Sequence, residues 1–297
     1  MTGLSGFEIN GSIVRRLVDR QFPQWASLPI KPVATSGTDN DIFRLGVDLT
    51  VRLPRSKRVE TSLLKETQWL PELARQLPLD IPTTIAMGEP DDNYPWQWSV
   101  CTWLDGNSLD GDAPVNLNDA ASRLGRFVNA LHSIDASNGP EPGDHNFWRG
   151  EPLANRDAQT RNAIGALSDD FDSAALSLAW DAALGSTEWT RSPVWIHGDL
   201  SPGNVLAVTA KVSAVIDFGG LAVGDPACDL MIAWSLFTGE SRELFREAVD
   251  VDDGTWQHGR GWALLCALNF IPYYRNTNVD GVRIARHTLD EILADND

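Results

Sequence analysis

Three oxygen-bearing side chains in the middle of the chain are spaced to hold a hard cation beside a phosphate. The stretch Val194-Trp-Ile-His-Gly-Asp-Leu-Ser-Pro-Gly-Asn-Val-Leu206 runs from an apolar triplet into a polar loop that presents His197, Asp199 and Asn204. Pro202 and Gly203 set the turn, and Val205 and Leu206 resume an apolar strand. After a turn around Lys211, Ala214 to Ile216 predicts a second strand, which ends at Asp217 and a glycine pair. Adjacent strands would bring Asp199, Asn204 and Asp217 to one edge. Two carboxylates and an amide oxygen suit Mg²⁺ that also holds phosphate.

The pattern His197-x-Asp199-x-x-x-x-Asn204, with Ile-Asp217-Phe-Gly placing its Asp thirteen residues after the Asn, resembles the aminoglycoside phosphotransferase family. Those small-molecule kinases are similar in fold to protein kinases, whose H-R-D-x-x-x-x-N and D-F-G elements follow the same spacing. The resemblance implies an α+β, bilobal protein-kinase-like fold: an N-lobe of antiparallel sheet plus helix, at about 1–103, and a mostly helical C-lobe, at about 104–297. It places the active site between the lobes. It also implies transfer of the γ-phosphoryl group of ATP or GTP to a hydroxyl of a small molecule. In that scheme Asp199 is the catalytic base, Asn204 and Asp217 are the Mg²⁺ ligands, and His197 orients the loop. The acceptor could be an aminoglycoside, a macrolide, choline, homoserine or another metabolite. A nucleotide-binding protein without turnover and a metal-dependent phosphohydrolase are the rival classes.

The elements that must position these groups start with a helix predicted over residues 7–20, where Ile9, Ile13, Val14 and Leu17 recur at helical spacing. Ala34-Thr-Ser-Gly-Thr-Asp-Asn40 is a small-polar loop ahead of a hairpin of Asp41–Gly46 and Leu49–Leu53. By the resemblance, Ser36 and Gly37 would cover nucleotide phosphates. Alternation in Leu49-Thr-Val-Arg-Leu53 puts Leu49, Val51 and Leu53 on one face, with Thr50 and Arg52 on the other. The family has a Lys where Arg52 stands. A guanidinium can pair a phosphate in two-pronged fashion and also reach a carboxylate. Thr61–Leu70 predicts a helix that Pro71 ends or kinks. Glu66, fourteen residues after Arg52, would tie that cation; Glu60 is its competitor. Trp96 to Leu104 would be the last N-lobe strand running into the hinge, with backbone groups near Ser99–Trp103 on the nucleotide base.

Beyond Gly106 the chain turns helical, with helices expected at about 118–134, 156–167, 173–184, 240–250, 255–272 and 281–293. His132 reads as a packing or capping residue. Asp157, Asp169, Asp170, Asp172 and Glu188 lie in the segment expected to shape the acceptor pocket, and none is assigned to substrate. Asp229, in Gly224-Asp-Pro-Ala-Cys-Asp-Leu230, would by the resemblance brace the catalytic loop through its amides.

Composition limits the alternatives. A net charge of −17 and a pI near 4.6 exclude general binding to nucleic acid or anionic membrane, which needs basic surface. No apolar run approaches the roughly 18 residues of a membrane span. There is no basic flank with an apolar signal core at the N-terminus. Three widely spaced cysteines (Cys101, Cys228, Cys266) lack metal-ligand spacing and read as reduced thiols of a cytoplasmic protein.

Overall fold

A computed structural model describes residues 9–33, 39–111 and 114–295. The Ser36-Gly37 loop lies outside the described residues. The chain divides into two compact units: residues 1–75 with 80–105, and residues 76–79 with 106–297.

The first unit is built on a five-stranded antiparallel sheet. In chain order its elements are α1 (Gly11–Gln21), β1 (Ile30–Pro32), β2 (Asn40–Leu45), β3 (Leu49–Pro54), α2 (Lys57–Leu73), β4 (Thr84–Gly88) and β5 (Trp98–Thr102). The sheet order is β1-β2-β3-β5-β4. The β2–β3 hairpin turns through Gly46 at φ +66°, and Phe43 pairs with Val51 in its ladder. The Asn10 side chain accepts from the amides of Ser12 and Ile13, which starts α1 later than the hydrophobic periodicity alone predicts. Val14, Leu17 and Val18 of α1 then pack on Phe43, Leu45, Val51, Leu53, Trp98 and Val100. Alternation along β3 therefore sends Val51 and Leu53 into this core and turns Arg52 to the opposite face, towards α2.

Helix α2 begins four residues before the predicted Thr61 because Ser56 Oγ caps the amide of Val59 at 3.4 Å. It carries Pro71 inside its last turn, ending at Leu73. Strand β5 has β3 on one side and β4 on the other. At its end, the amides of Thr102 and Trp103 donate to Thr83 O and Asp48 O at 2.9 and 2.8 Å. Those two amides are thus engaged within the unit.

The second unit contains β6 (Asn107–Ser108), α3 (Leu117–Ser133), α4 (Asp157–Ala166), α5 (Ser173–Leu184), β7 (Val194–Ile196), β8 (Val205–Val208), β9 (Lys211–Val215), β10 (Ala222–Gly224), α6 (Ile232–Ser235), α7 (Gly239–Ala248), α8 (Asp253–Tyr274) and α9 (Val279–Ala294). Each predicted helix is present to within two residues. Helix α8 is the hub; α4, α5 and α9 pack against it. Strands β8 and β9 form the expected antiparallel pair, with Val205 opposite Val215, and β6 adds to β8. Strand β7 pairs instead with β10, Ile196 opposite Ala222. Among the described residues no helix is long and apolar enough to cross a membrane.

Candidate active site

The loop after β7 is held backbone amide by backbone amide. Asp229, fully buried, accepts from His197 N at 2.9 Å through Oδ2 and from Gly198 N at 2.8 Å through Oδ1. The next amide, Asp199 N, donates to His197 Nδ1 at 3.1 Å. His197 Nε2 lies 3.0 Å from the carbonyl of Ile216, so the ring carries its proton on Nε2 and accepts on Nδ1. The imidazole is buried against Phe218, with ring centroids 4.5 Å apart. His197 is therefore a strut between two loops. Three consecutive amides with fixed partners leave the Asp199 side chain, 39% exposed, projecting from a rigid base.

Asn204 sits at the start of β8. Its Nδ2 donates to Asp199 O at 2.9 Å, which turns the amide so that Oδ1 meets no donor among the described residues. Its own carbonyl accepts from Ile216 N at 2.9 Å, tying it to the strand that leads into Asp217. Asp217 is exposed and adopts a left-handed backbone, φ +62°, with Gly219 N 3.4 Å from its Oδ1. The two loops then touch. Gly198, at φ +78°, approaches Gly220 so closely that a Cβ would lie 2.3 Å from the Gly220 carbonyl oxygen.

This donor set fits Mg²⁺. Hard oxygens from one amide and one carboxylate leave most of its coordination shell to phosphate and water, as Mg²⁺ prefers. Among the described residues there is no cluster of three His, Cys, Asp or Glu that could hold a softer metal by itself.

In the first unit, Arg52 of β3 grips Glu66 of α2 with both ends of its guanidinium, Nη1 to Oε2 at 2.5 Å and Nη2 to Oε1 at 3.2 Å. The pair is mostly buried, with 11% and 3% of the two side chains exposed. Glu60 is engaged elsewhere, accepting from Gln97 N at 2.8 Å and pairing with Lys57. Next to Glu66, burial lowers the Lys65 ammonium to about 8, and the neighbouring carboxylate opposes that shift.

Two residues in this network were assigned no such role from the sequence. His132, on α3, brings Nε2 to 3.2 Å from Asp229 Oδ2. Arg149 forms an ion pair with Asp199 Oδ1 and donates to Gly198 O at 2.6 Å. Burial works against the Arg149 charge, while the Asp199 carboxylate, with smaller contributions from Cys266 and Cys228, raises it, and the guanidinium ends above its ordinary range. Arg149 follows two consecutive non-glycine residues in left-handed backbone, Phe147 at φ +56° and Trp148 at φ +54°. Such conformations cost about 1–3 kcal/mol each. Both aromatic side chains are well exposed, at 56% and 37%. A strained pair between small-residue turns has no local sequence signature.

The structure thus gathers His197, Asp199, Asn204, Asp217 and Asp229 into one linked network in the second unit, and pairs Arg52 with Glu66 in the first. Of the acidic residues of the helical insertion, Asp169 and Glu188 are exposed, and three others are engaged in ordinary structural contacts. Asp157 binds Trp180 Nε1 and Arg161, each at 2.8 Å; Asp170 pairs with Arg275 and Arg286; Asp172 caps α5.

Comparison with solved structures finds the same fold over nearly the whole chain. Aminoglycoside 2'-phosphotransferase-IIIa in its GDP complex is 20% identical, with a TM-score of 0.73 over 97% of this chain and all (100%) of the other. A GDP and kanamycin complex of APH(2")-IIIa gives 21% identity and a TM-score of 0.69, covering 96% and 99% of the two chains. A macrolide 2'-phosphotransferase from Brachybacterium faecium, as apoenzyme, gives 22% identity and 0.62 over 93% and 97%. Comparison with curated proteins returns no match. The sequence profile of the phosphotransferase enzyme family matches residues 30–266, from β1 into α8, and the chain belongs to that family.

Proposed function

We propose that this phosphotransferase uses Mg²⁺ and ATP or GTP to phosphorylate a hydroxyl group of a small molecule. The observation that carries the reading is the Asp199 loop, whose three successive amides at 197, 198 and 199 are each fixed by a side chain while the Asp199 carboxylate stays accessible. A base held this way can orient an acceptor hydroxyl and take its proton as the oxygen attacks the γ-phosphorus. The bond from that phosphorus to the β–γ bridging oxygen breaks, and the nucleoside diphosphate leaves. Asn204 Oδ1 and the Asp217 carboxylate are the groups suited to hold Mg²⁺. Bound there, the ion supplies neutralisation of the phosphate charge. Arg52, oriented by Glu66, is suited to the α- and β-phosphates. Structures with this fold bind GDP or ADP, which makes both purine nucleotides candidates.

A protein with this fold has been solved in complex with GDP and the aminoglycoside kanamycin. A polycationic sugar needs several carboxylates for its ammonium groups; here Asp157, Asp170, Asp172 and Asp181 are each paired or capping and Asp199 faces Arg149, which leaves Asp169 and Glu188 as the exposed carboxylates of the insertion. That arrangement favours a neutral or weakly charged hydroxylated acceptor. The test is a coupled assay of nucleoside diphosphate release across neutral and cationic hydroxyl acceptors, with and without Mg²⁺, for wild type and Asp199→Asn. Loss of general-base chemistry should lower turnover on the order of 10²- to 10⁴-fold. Undiminished transfer by Asp199→Asn would move the base elsewhere, and salt-sensitive transfer to polycations alone would overturn the acceptor preference.

A further inference from the structure

The catalytic loop His197-Gly-Asp-Leu-Ser-Pro-Gly-Asn204 contains no Lys or Arg, and neither does the following stretch from Asp217 to Gly224. The cation at Asp199 comes from elsewhere, from the segment Gly143–Gly150 some fifty residues earlier. That segment is built to reach both loops. Asn146, fully buried, accepts from Gly143 N at 2.9 Å and donates to Arg149 O at 2.8 Å, with Gly220 O at 3.3 Å. Gly150, at φ +92°, accepts from Asp225 N at 2.8 Å. Between these two anchors, Phe147 and Trp148 hold left-handed backbone, a conformation that side chains with a Cβ resist. The result is that the Arg149 side chain, 20% exposed, lies against the catalytic loop, where it binds Gly198 O and Asp199 Oδ1.

We propose that Arg149 is a positioning residue for the catalytic base: it pins Asp199 Oδ1 and leaves Oδ2 as the oxygen that receives the acceptor proton. Among the described residues Oδ2 has only a long contact, 3.4 Å to Asn204 Nδ2. In the transfer step the acceptor O–H proton moves to Oδ2, the new O–P bond forms at the γ-phosphorus, and the bridging oxygen departs on the nucleoside diphosphate. Throughout, Arg149 keeps the other carboxylate oxygen in place and balances charge that the catalytic loop itself cannot. A guanidinium suits this task because one planar head serves a carbonyl and a carboxylate together, which an ammonium does less well. This inference rests on the phosphotransfer reading above.

The test uses the full chain with Arg149→Met and Arg149→Lys. Transfer kinetics, nucleotide hydrolysis with water as acceptor, and the crystal structure of each variant are compared with wild type. Arg149→Met should lower kcat by about 10²-fold, as loss of orientation does, with nucleotide KM changed by less than about threefold. Methylguanidinium added at millimolar concentration should restore part of kcat, and Arg149→Lys should fall between the two. In the Arg149→Met crystal structure the Asp199 carboxylate should leave its present rotamer. An Arg149→Met kcat equal to wild type would overturn the proposal. So would a loss of kcat that methylguanidinium does not relieve while Asp199 stays in place. If Arg149→Met does not fold, Arg149→Lys decides: unchanged kcat in both transfer and hydrolysis overturns the assignment, and a selective kcat loss supports it. If wild type transfers to no hydroxyl acceptor, the functional reading fails, and hydrolysis with the crystal structures still judges Arg149.

Discussion

Replacing Asp229 with Asn tests whether the catalytic loop is held from below. The carboxylate accepts two backbone amides, His197 N at 2.9 Å and Gly198 N at 2.8 Å, one on each oxygen. Asn has the same size but only one acceptor oxygen. The better orientation puts that oxygen on Gly198 N and its NH₂ towards His132 Nε2, which now accepts, leaving His197 N–H facing another donor. One charge-assisted hydrogen bond is lost, worth about 1.5–3 kcal/mol, and one buried amide is orphaned, at about 1–3 kcal/mol. The sum, about 2.5–6 kcal/mol, should lower the melting temperature of the second unit by on the order of 10 °C. The matching control is His132→Phe, which removes the third contact but leaves both amides satisfied and should cost about 1 kcal/mol. Thermal and urea melts followed by tryptophan fluorescence supply the measurement. An Asp229→Asn melting within about 2 °C of wild type, or no more destabilised than His132→Phe, would refute the bracing argument.

Three further outcomes follow from the geometry. Arg52→Glu should abolish stabilisation by Mg·nucleotide in a thermal-shift assay and Arg52→Lys should keep part of it; the exchange Arg52→Glu with Glu66→Arg should restore the buried pair and the melting temperature but not nucleotide binding, and full binding by the exchanged protein would remove the phosphate-clamp role. Gly198→Ala introduces a Cβ 2.3 Å from Gly220 O at φ +78°, so a loss of about 2 kcal/mol or more is expected in urea melts together with failure of transfer; an unaffected variant would mean the two loops yield easily. Lys65 has a folded value of about 8 against an ordinary 10.5, so the unfolded chain binds more protons between those values and stability should rise with pH across that window, by on the order of 3 kcal/mol in all. The rise should be read below pH 10, because burial raises the Tyr94 phenol and makes stability fall as pH climbs past that group's unfolded value. Lys65→Met should flatten the rise, and an unchanged pH slope would assign it to other groups.

Much of the arrangement of the candidate site in the second unit was legible because it is local. His197, Asp199 and Asn204 lie within eight residues, and the β8–β9 hairpin carries Asn204 and Asp217 to neighbouring ends in one short stretch. Arg52 and Glu66 were legible through strand alternation and helix spacing, since each element has its own period. Arg149 was not legible. It stands in a non-periodic Pro/Gly-rich stretch, and its position depends on two left-handed residues, Phe147 and Trp148, whose types ordinarily disfavour that conformation. His132 reads as a packing or capping residue, and its contact with Asp229 was out of reach because a helix face shows which side is buried, not which distant carboxylate lies there. The pairing of β7 with β10 was likewise out of reach, because a three-residue strand does not encode its partner.

The contact between Gly150 and Gly224 carries a consequence for exchanging parts between related enzymes. A Cβ on Gly224 would lie 2.5 Å from the Gly150 carbonyl oxygen, and Asp225 N donates to that same oxygen at 2.8 Å, so Gly143–Gly150 belongs mechanically to the catalytic framework rather than to the helices that follow it. A chimera that grafts a foreign acceptor-recognition module should therefore be cut after Gly150. A junction placed earlier, at the more inviting Pro/Gly run near Gly139, would import a foreign residue at position 149 and couple any change of specificity to a change in the base itself. Within 143–150 the positions tied to the framework are Asn146, Arg149 and Gly150, which meet Gly220, Asp199 and Gly224, so a change at these three should require compensation across the contact.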